Sequence, residues 1–286
     1  MYTSQTLDTI RKNIDSIDST IHDLLMERAA LASSIAAEKK QRGMQIVHPA
    51  REARMIRRLL ARHHGALPKE AIARIWRELV GAVSMLQSGL TAQFYCESRD
   101  PENFKIVTDY FGSVLPVEYV SSAQQGIQSV AQGQCDFATL PWPSESAQAP
   151  SWLVELIELI EQDRAAISDK LPLNIVQSLP FVCTKGAQSA RKYITLTRAK
   201  FEPSEDDCSF IVLKSKTAFD AHDILTQAGL ESNRVLSFST AQDHYVLLDV
   251  EGYLEENSPL LESLKKALSP DIHLLSIGGY PKPIIL

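Results

Sequence analysis

Leu7, Ile10, Ile14, Ile17, Ile21, Leu24, Leu31 and Ile35 follow one another at spacings of three and four residues, with a single gap of seven. A seam of that period, sustained over four heptads, predicts one long helix across residues 7–42 that packs along another helix. Gly43 is the expected C-terminal stop. The gap in the seam is filled by Arg28, which is seven residues from both Ile21 and Ile35. Lys39 follows eleven residues later, about 20° around the helix from Arg28. Arg11 takes the same heptad slot as Lys39, about 42 Å away on a straight helix. Cations on a packing face are costly unless an anion meets them. Arg11 and Lys39 of one chain are too far apart to hold one small ligand. A shared site therefore implies an intertwined antiparallel helical dimer with two equivalent sites.

A second helix is expected to start near Pro49 and end before Gly65, with Met55, Ile56, Leu59 and Leu60 on one face. A third runs from near Pro68 to about Ser88, with Ile72, Ile75, Trp76, Leu79, Val80, Val83 and Leu86 as its stripe. Both carry polar exceptions. Glu52 precedes Ile56 by four and Leu59 by seven, Arg51 stands beside it, and Gln87 follows Val83 by four. Singly, such residues are snorkelling side chains or surface pairs. Together they point to a buried anion site. Charge agrees: residues 1–90 hold 14 Lys+Arg against 9 Asp+Glu, a net of +5, in a chain whose net charge is -6. The candidate anions are nucleic acid, a membrane surface or a small polyanion. The cations project into a packing seam without aromatic interleaving, which argues against nucleic acid.

Here the sequence resembles a known family. Leu7-Asp8-Thr9-Ile10-Arg11, Ile14-Asp15-Ser16-Ile17-Asp18, Leu24-Leu25-Met26-Glu27-Arg28, Lys39, Pro49-Ala50-Arg51-Glu52 and Gln87 resemble the all-helical class of chorismate mutase. The resemblance implies that Arg28, and Arg11 from the partner subunit, grip the substrate carboxylates. It also implies that Lys39 and Gln87 meet the ether oxygen, and that Arg51 and Glu52 lie near the ring hydroxyl. Two secondary contacts depart: His48 stands where members often carry Asp, and Val83 where they carry Ser or Thr. The implied reaction is the concerted [3,3] rearrangement of chorismate to prephenate in aromatic amino-acid biosynthesis. It needs no nucleophile, metal or cofactor. Orientation and stabilisation of charge growing on the ether oxygen carry it.

Beyond Gln93 the texture changes to alternating strand and helix: strands at 94–96, 115–120, 135–140 and 173–184, helices at 101–111, 123–132 and 151–163. Residues 207–281 then read strand 208–213, helix 218–228, strands 234–239 and 244–250, helix 258–268 and strand 272–277. That is the βαββαβ order of a ferredoxin-like unit. The expected fold class is therefore multi-domain: residues 1–90 all-α with three helices, 93–200 an α/β lobe, and 207–286 ferredoxin-like.

Residues 93–200 resemble a shortened prephenate dehydratase domain. Its motifs are degenerate at Tyr95-Cys96-Glu97-Ser98-Arg99-Asp100, Pro141-Trp142-Pro143-Ser144-Glu145 and Arg191-Lys192-Tyr193, so dehydratase activity is expected to be lost. Residues 207–286 resemble an ACT regulatory domain at Leu248-Asp249-Val250-Glu251-Gly252 and Ile277-Gly278-Gly279-Tyr280-Pro281. They depart from it at Thr217-Ala218-Phe219-Asp220 and Ser237-Phe238-Ser239-Thr240. An amino-acid effector is open, and phenylalanine is disfavoured.

Cys96, Cys135, Cys183 and Cys208 have no zinc-ligand spacing and read as free thiols. His63-His64 reads as a solvated helix end, not a metal site. Residues 1–7 show no secretory signal, and no run approaches a membrane span, so the cytoplasm is the expected location. The leading expectation is a homodimeric mutase acting on chorismate, with no nucleic-acid or membrane partner. The alternatives are a bifunctional mutase–dehydratase and a non-catalytic regulatory binding protein.

Overall fold

A computed structural model of the chain describes residues 6–42, 44–143, 151–166, 170–184, 192–229, 232–254 and 258–286. Gly43, Ser144, Glu145 and Arg191 lie outside the described residues. The heptad seam forms helix α1 (Leu7–Gln41), followed by α2 (Pro49–Arg62) and α3 (Lys69–Ser88). Pro49 sits in the first turn of α2, where its missing N–H is harmless, and Gly89 ends α3 in the left-handed conformation at φ 62. All eight seam residues of α1 are solvent-exposed, from 41% at Ile10 to 61% at Leu7. In contrast, α2 buries Ala53, Ile56 and Leu60, which share a core cluster with Ala73 of α3 and Phe94, Val107 and Phe111 beyond it. Gly81 permits the closest approach: a Cβ there would lie 1.8 Å from the Phe111 carbonyl oxygen.

The next part alternates β1 (Ala92–Phe94), α4 (Pro101–Phe111), β2 (Val117–Tyr119), α5 (Ala123–Gln132), β3 (Phe137–Pro141), α6 (Ser151–Ala165), β4 (Leu173–Leu179), β5 (Val182–Cys183) and β6 (Tyr193–Arg198). β1 pairs in parallel with β2 and β3. β6 was not anticipated; it lies antiparallel between β3 and β4. The strand expected over 173–184 is split at Pro180, which lacks the N–H that a ladder needs.

The last part runs β7 (Asp207–Ser215), α7 (Ala221–Ala228), β8 (Ser232–Ser239), β9 (His244–Glu251), α8 (Pro259–Ala267), β10 (His273–Pro281) and β11 (Ile284–Ile285). Its four long strands are antiparallel in the order β10-β7-β9-β8, the split βαβ arrangement expected from the element order. Alternation along β7 serves two cores. Ile211 and Leu213 face α7 and α8, while Phe210 and Val212 join a cluster with Leu153, Leu156 and Ile160 of α6. Among the described residues no helix is long and apolar enough to cross a membrane.

β10 also pairs in parallel with β4, at Gly278 and Ile175, so nine strands form one sheet. Gly278 has φ +105, and a Cβ there would lie 2.1 Å from the Ile175 carbonyl oxygen. Gly278→Ala is therefore expected to cost about 2 kcal/mol of stability, from overpacking and backbone strain. Chemical denaturation measures this, and an unchanged midpoint would mean the β4–β10 seam tolerates displacement.

Candidate active site

A cavity of about 680 Å³ opens between the C-terminal half of α1, the loop 44–48, α2 and α3. Five cations line it, Arg28, Lys39, Arg51, Arg54 and Arg58, against two carboxylates, Glu52 and Glu205. Arg28 and Lys39 reach it together because eleven residues are close to three full turns of helix. His48 and Val83, the two departures, also line it.

Arg28 is the least satisfied of these groups. Its Nη1 is buried and without a hydrogen-bond partner, and its Cζ lies 5.6 Å from the centroid of the Trp76 ring. Burial pushes its guanidinium pKa down, Arg51 adds to that, and Glu52 partly offsets it. A buried donor without an acceptor is costly, and a guanidinium fork matches a carboxylate. Burial, then the charge of Arg51, likewise pushes the Lys39 ammonium below its ordinary value, against the opposing pull of Glu202. The cavity is thus a desolvated cationic pocket that an anion would stabilise.

Arg51 and Glu52 both line the cavity, but the ion pair of Glu52 is with Arg77, whose Nη1 lies 2.9 Å from its Oε2. Arg77 is 5% exposed. Its Nε and Nη2 donate to the Tyr110 carbonyl at 2.7 and 2.5 Å, and its Cζ stands 3.9 Å from the Tyr110 ring centroid. It thereby fixes Glu52 and fastens α3 to the end of α4. The sequence signal for Arg77 was available: it follows Ala73 by four and precedes Val80 by three, on the buried stripe of α3.

Two expected residues stand apart. Arg11 is exposed, with Nη1 3.9 Å from Asp8, and lies about 26 Å along α1 from Arg28. Gln87 lies on α3, one turn beyond Val83, and its side chain is outside the described residues. Residues that sequence reasoning missed come from the segment 199–206. Glu202 Oε2 lies 2.8 Å from His48 Nδ1, and Glu205 lines the cavity. These partners are 154 residues apart in the His48–Glu202 case, so no local pattern could announce them.

Elsewhere, three residues from the motifs and departures noted in the sequence serve in packing or capping. Trp142 is buried, with its ring centroid 5.4 Å from that of Phe210 and 5.6 Å from that of Tyr280. Tyr193 is buried at the start of β6. Asp220 caps α7, accepting from the His222 N–H at 2.8 Å. The four cysteines are free thiols, and no group of three or more metal-ligating side chains occurs among the described residues.

Residues 10–88 match the chorismate mutase type II family. The bifunctional chorismate mutase/prephenate dehydratase of Neisseria gonorrhoeae is 37% identical over 142 residues, 48% of this chain and 38% of that protein. The match covers 38% of the length of each of the other curated relatives as well. Among solved structures, a protein described as a novel type of quorum quenching acylase matches with TM-score 0.48 and 18% identity, over 68% of this chain and 95% of that one. A prephenate dehydratase from Arthrobacter aurescens in complex with L-Phe matches with TM-score 0.47 and 13% identity, over 68% and 90%.

Proposed function

We propose that this chain is a chorismate mutase that converts chorismate to prephenate by a concerted [3,3] rearrangement. The observation that carries the reading is the buried, unpartnered Arg28 Nη1, in a cation-lined cavity, on a helical unit that matches the type II family. Arg28 binds one substrate carboxylate. Lys39, with Gln87, donates to the ether oxygen as negative charge grows on it. Arg51 and Glu52 hold the ring end, with Arg77 locking Glu52 in place. The cavity walls keep the substrate folded so that its reacting carbons approach.

A homodimer completes the site in this reading. The exposed seam of α1 has the heptad period of a helix that pairs with a copy of itself, and Arg11 of the partner subunit supplies the second carboxylate contact. Residues 93–200 then form a silent dehydratase-like lobe, and 207–286 an ACT-like unit open to an amino-acid effector. The free thiols accord with a reducing, cytoplasmic setting.

Purified full-length protein is expected to consume chorismate, read as loss of its absorbance, with prephenate as product. A protein that leaves chorismate untouched is not a mutase, and the regulatory alternative would then stand. The names of the curated relatives favour a second reading, a bifunctional enzyme. Supplying prephenate separates the two: formation of phenylpyruvate would establish dehydratase activity, and none is expected.

A further inference from the structure

The loop 44–48 joins two parts of the cavity wall. It leaves α1 at Lys39, whose carbonyl accepts from the Met44 N–H at 2.9 Å. It enters α2 at His48, whose carbonyl accepts from the Glu52 N–H at 3.1 Å. Lys39 thus stands at one end and Arg51 and Glu52 at the other, while Ile46 and His48 line the cavity between them. The path of this loop bears on the spacing of all three site residues.

Two side chains fasten the loop, and both reach the distant segment 199–206, between β6 and β7. Gln45, only 8% exposed, accepts from the Lys200 N–H through Oε1 at 2.8 Å. His48 Nδ1 lies 2.8 Å from Glu202 Oε2. A carboxylate only accepts, so Nδ1 is the donor. The segment is itself held. Arg54 Nη1 donates to the Pro203 carbonyl at 3.0 Å, and the Tyr253 hydroxyl to the Phe201 carbonyl at 3.1 Å.

Glu202 also acts on Lys39. Burial and the charge of Arg51 push the Lys39 ammonium below its ordinary value, and Glu202 pulls against them. The other charged or titratable groups that share the cavity are Arg28 on the helix of Lys39, Glu52, Arg54 and Arg58 on α2, His48 in the loop, and Glu205. The residues of α3 that line it are uncharged.

We propose that Glu202, from outside the helical unit, is a positioning residue of the mutase reaction, which holds the α1–α2 loop through His48 and supplies a counter-charge to Lys39. The proposal rests on the mutase reading. Glu202 touches no reacting atom. It works through where the loop lies and through a carboxylate's preference for a charged amine nearby.

The test uses full-length protein as wild type, Glu202→Gln, Glu202→Ala and the double variant Lys39→Arg/Glu202→Gln. Glutamine keeps an acceptor for His48 but not the charge, and alanine removes both. Glu202→Gln is expected to keep kcat within about twofold at neutral pH, while the alkaline fall of kcat/KM moves to lower pH. Glu202→Ala is expected to show the same shift and a kcat about tenfold lower, inside the roughly 10²-fold that a misplacement of about 1 Å can cost. In the Lys39→Arg background Glu202→Gln is expected to leave the pH profile of Lys39→Arg unmoved. Loss of packing alone would not move the alkaline limb, so a shift separates this role from a structural one even if Glu202→Ala melts earlier. An active wild type whose alkaline limb is unchanged in both single variants overturns the proposal alone. So does a Glu202→Ala protein with wild-type kcat, or a shift that persists in the double variant. An inactive wild type overturns the mutase reading and this proposal with it.

Discussion

Refolding a mixture of two inactive chains, Arg11→Ala and Arg28→Ala, is expected to restore about one quarter of wild-type turnover, since a two-fold dimer distributes the substitutions unequally between its sites. Each site would take Arg28 from one subunit and Arg11 from the other. A mixed dimer then has one site with both substitutions and one site with neither. Random reassociation makes about half the dimers mixed, each with one working site of two, which gives the quarter. The geometry behind this is that of α1. The eight apolar residues of its seam are exposed, and Arg11 lies about 26 Å from Arg28. Antiparallel pairing of α1 with a copy about its midpoint, Leu24, sets Arg11 opposite Ala37, next to Lys39. Activity of the mixture no higher than that of either variant alone would remove Arg11 from the partner's site. An active monomer in solution would remove the dimer too.

The elements most legible in the sequence were those with local causes. α1 followed from its heptads, and α4 was anticipated at its observed bounds, where the structure shows Asp100 capping it, Pro101 in its first turn and Gly112 at its end. Arg28 and Lys39 were legible as cations on a packing face, and the structure brings both to one cavity. β6 was missed although Ile194 and Leu196 alternate with Thr195 and Thr197, because its start at Tyr193 was read only as a motif remnant. The β4–β10 pairing, the hold of Arg77 on Glu52 and the approach of Glu202 to His48 depend on chain segments far apart in sequence. Periodicity reports which face of an element is buried, but not which distant side chain meets a polar group there. That is why the cations of the site and Glu52 could be read, while Glu202 and Glu205 could not.

Lys39→Ala is expected to lower kcat by about 10²- to 10³-fold, the cost of removing one donor to developing negative charge, while KM changes only a few-fold. Lys39 contributes little that Arg28 and Arg51 do not already supply to a bound dianion. Its distinctive contact strengthens only as the C–O bond breaks and charge builds on the ether oxygen. The pH dependence follows from the same residue. Burial and the charge of Arg51 push its ammonium below the ordinary lysine value, with Glu202 opposing. The charged form is the active one, so activity falls as pH rises through that lowered value. A bound dianion favours the ammonium and raises its pKa. The alkaline fall should therefore come at lower pH in kcat/KM, which reports the free enzyme, than in kcat, which reports the complex. Lys39→Arg keeps the charge to higher pH and should lose the alkaline fall even where its altered geometry lowers the rate. A Lys39→Ala protein with unchanged turnover, or a Lys39→Arg protein with the same alkaline limb as wild type, would show that another group holds the ether oxygen.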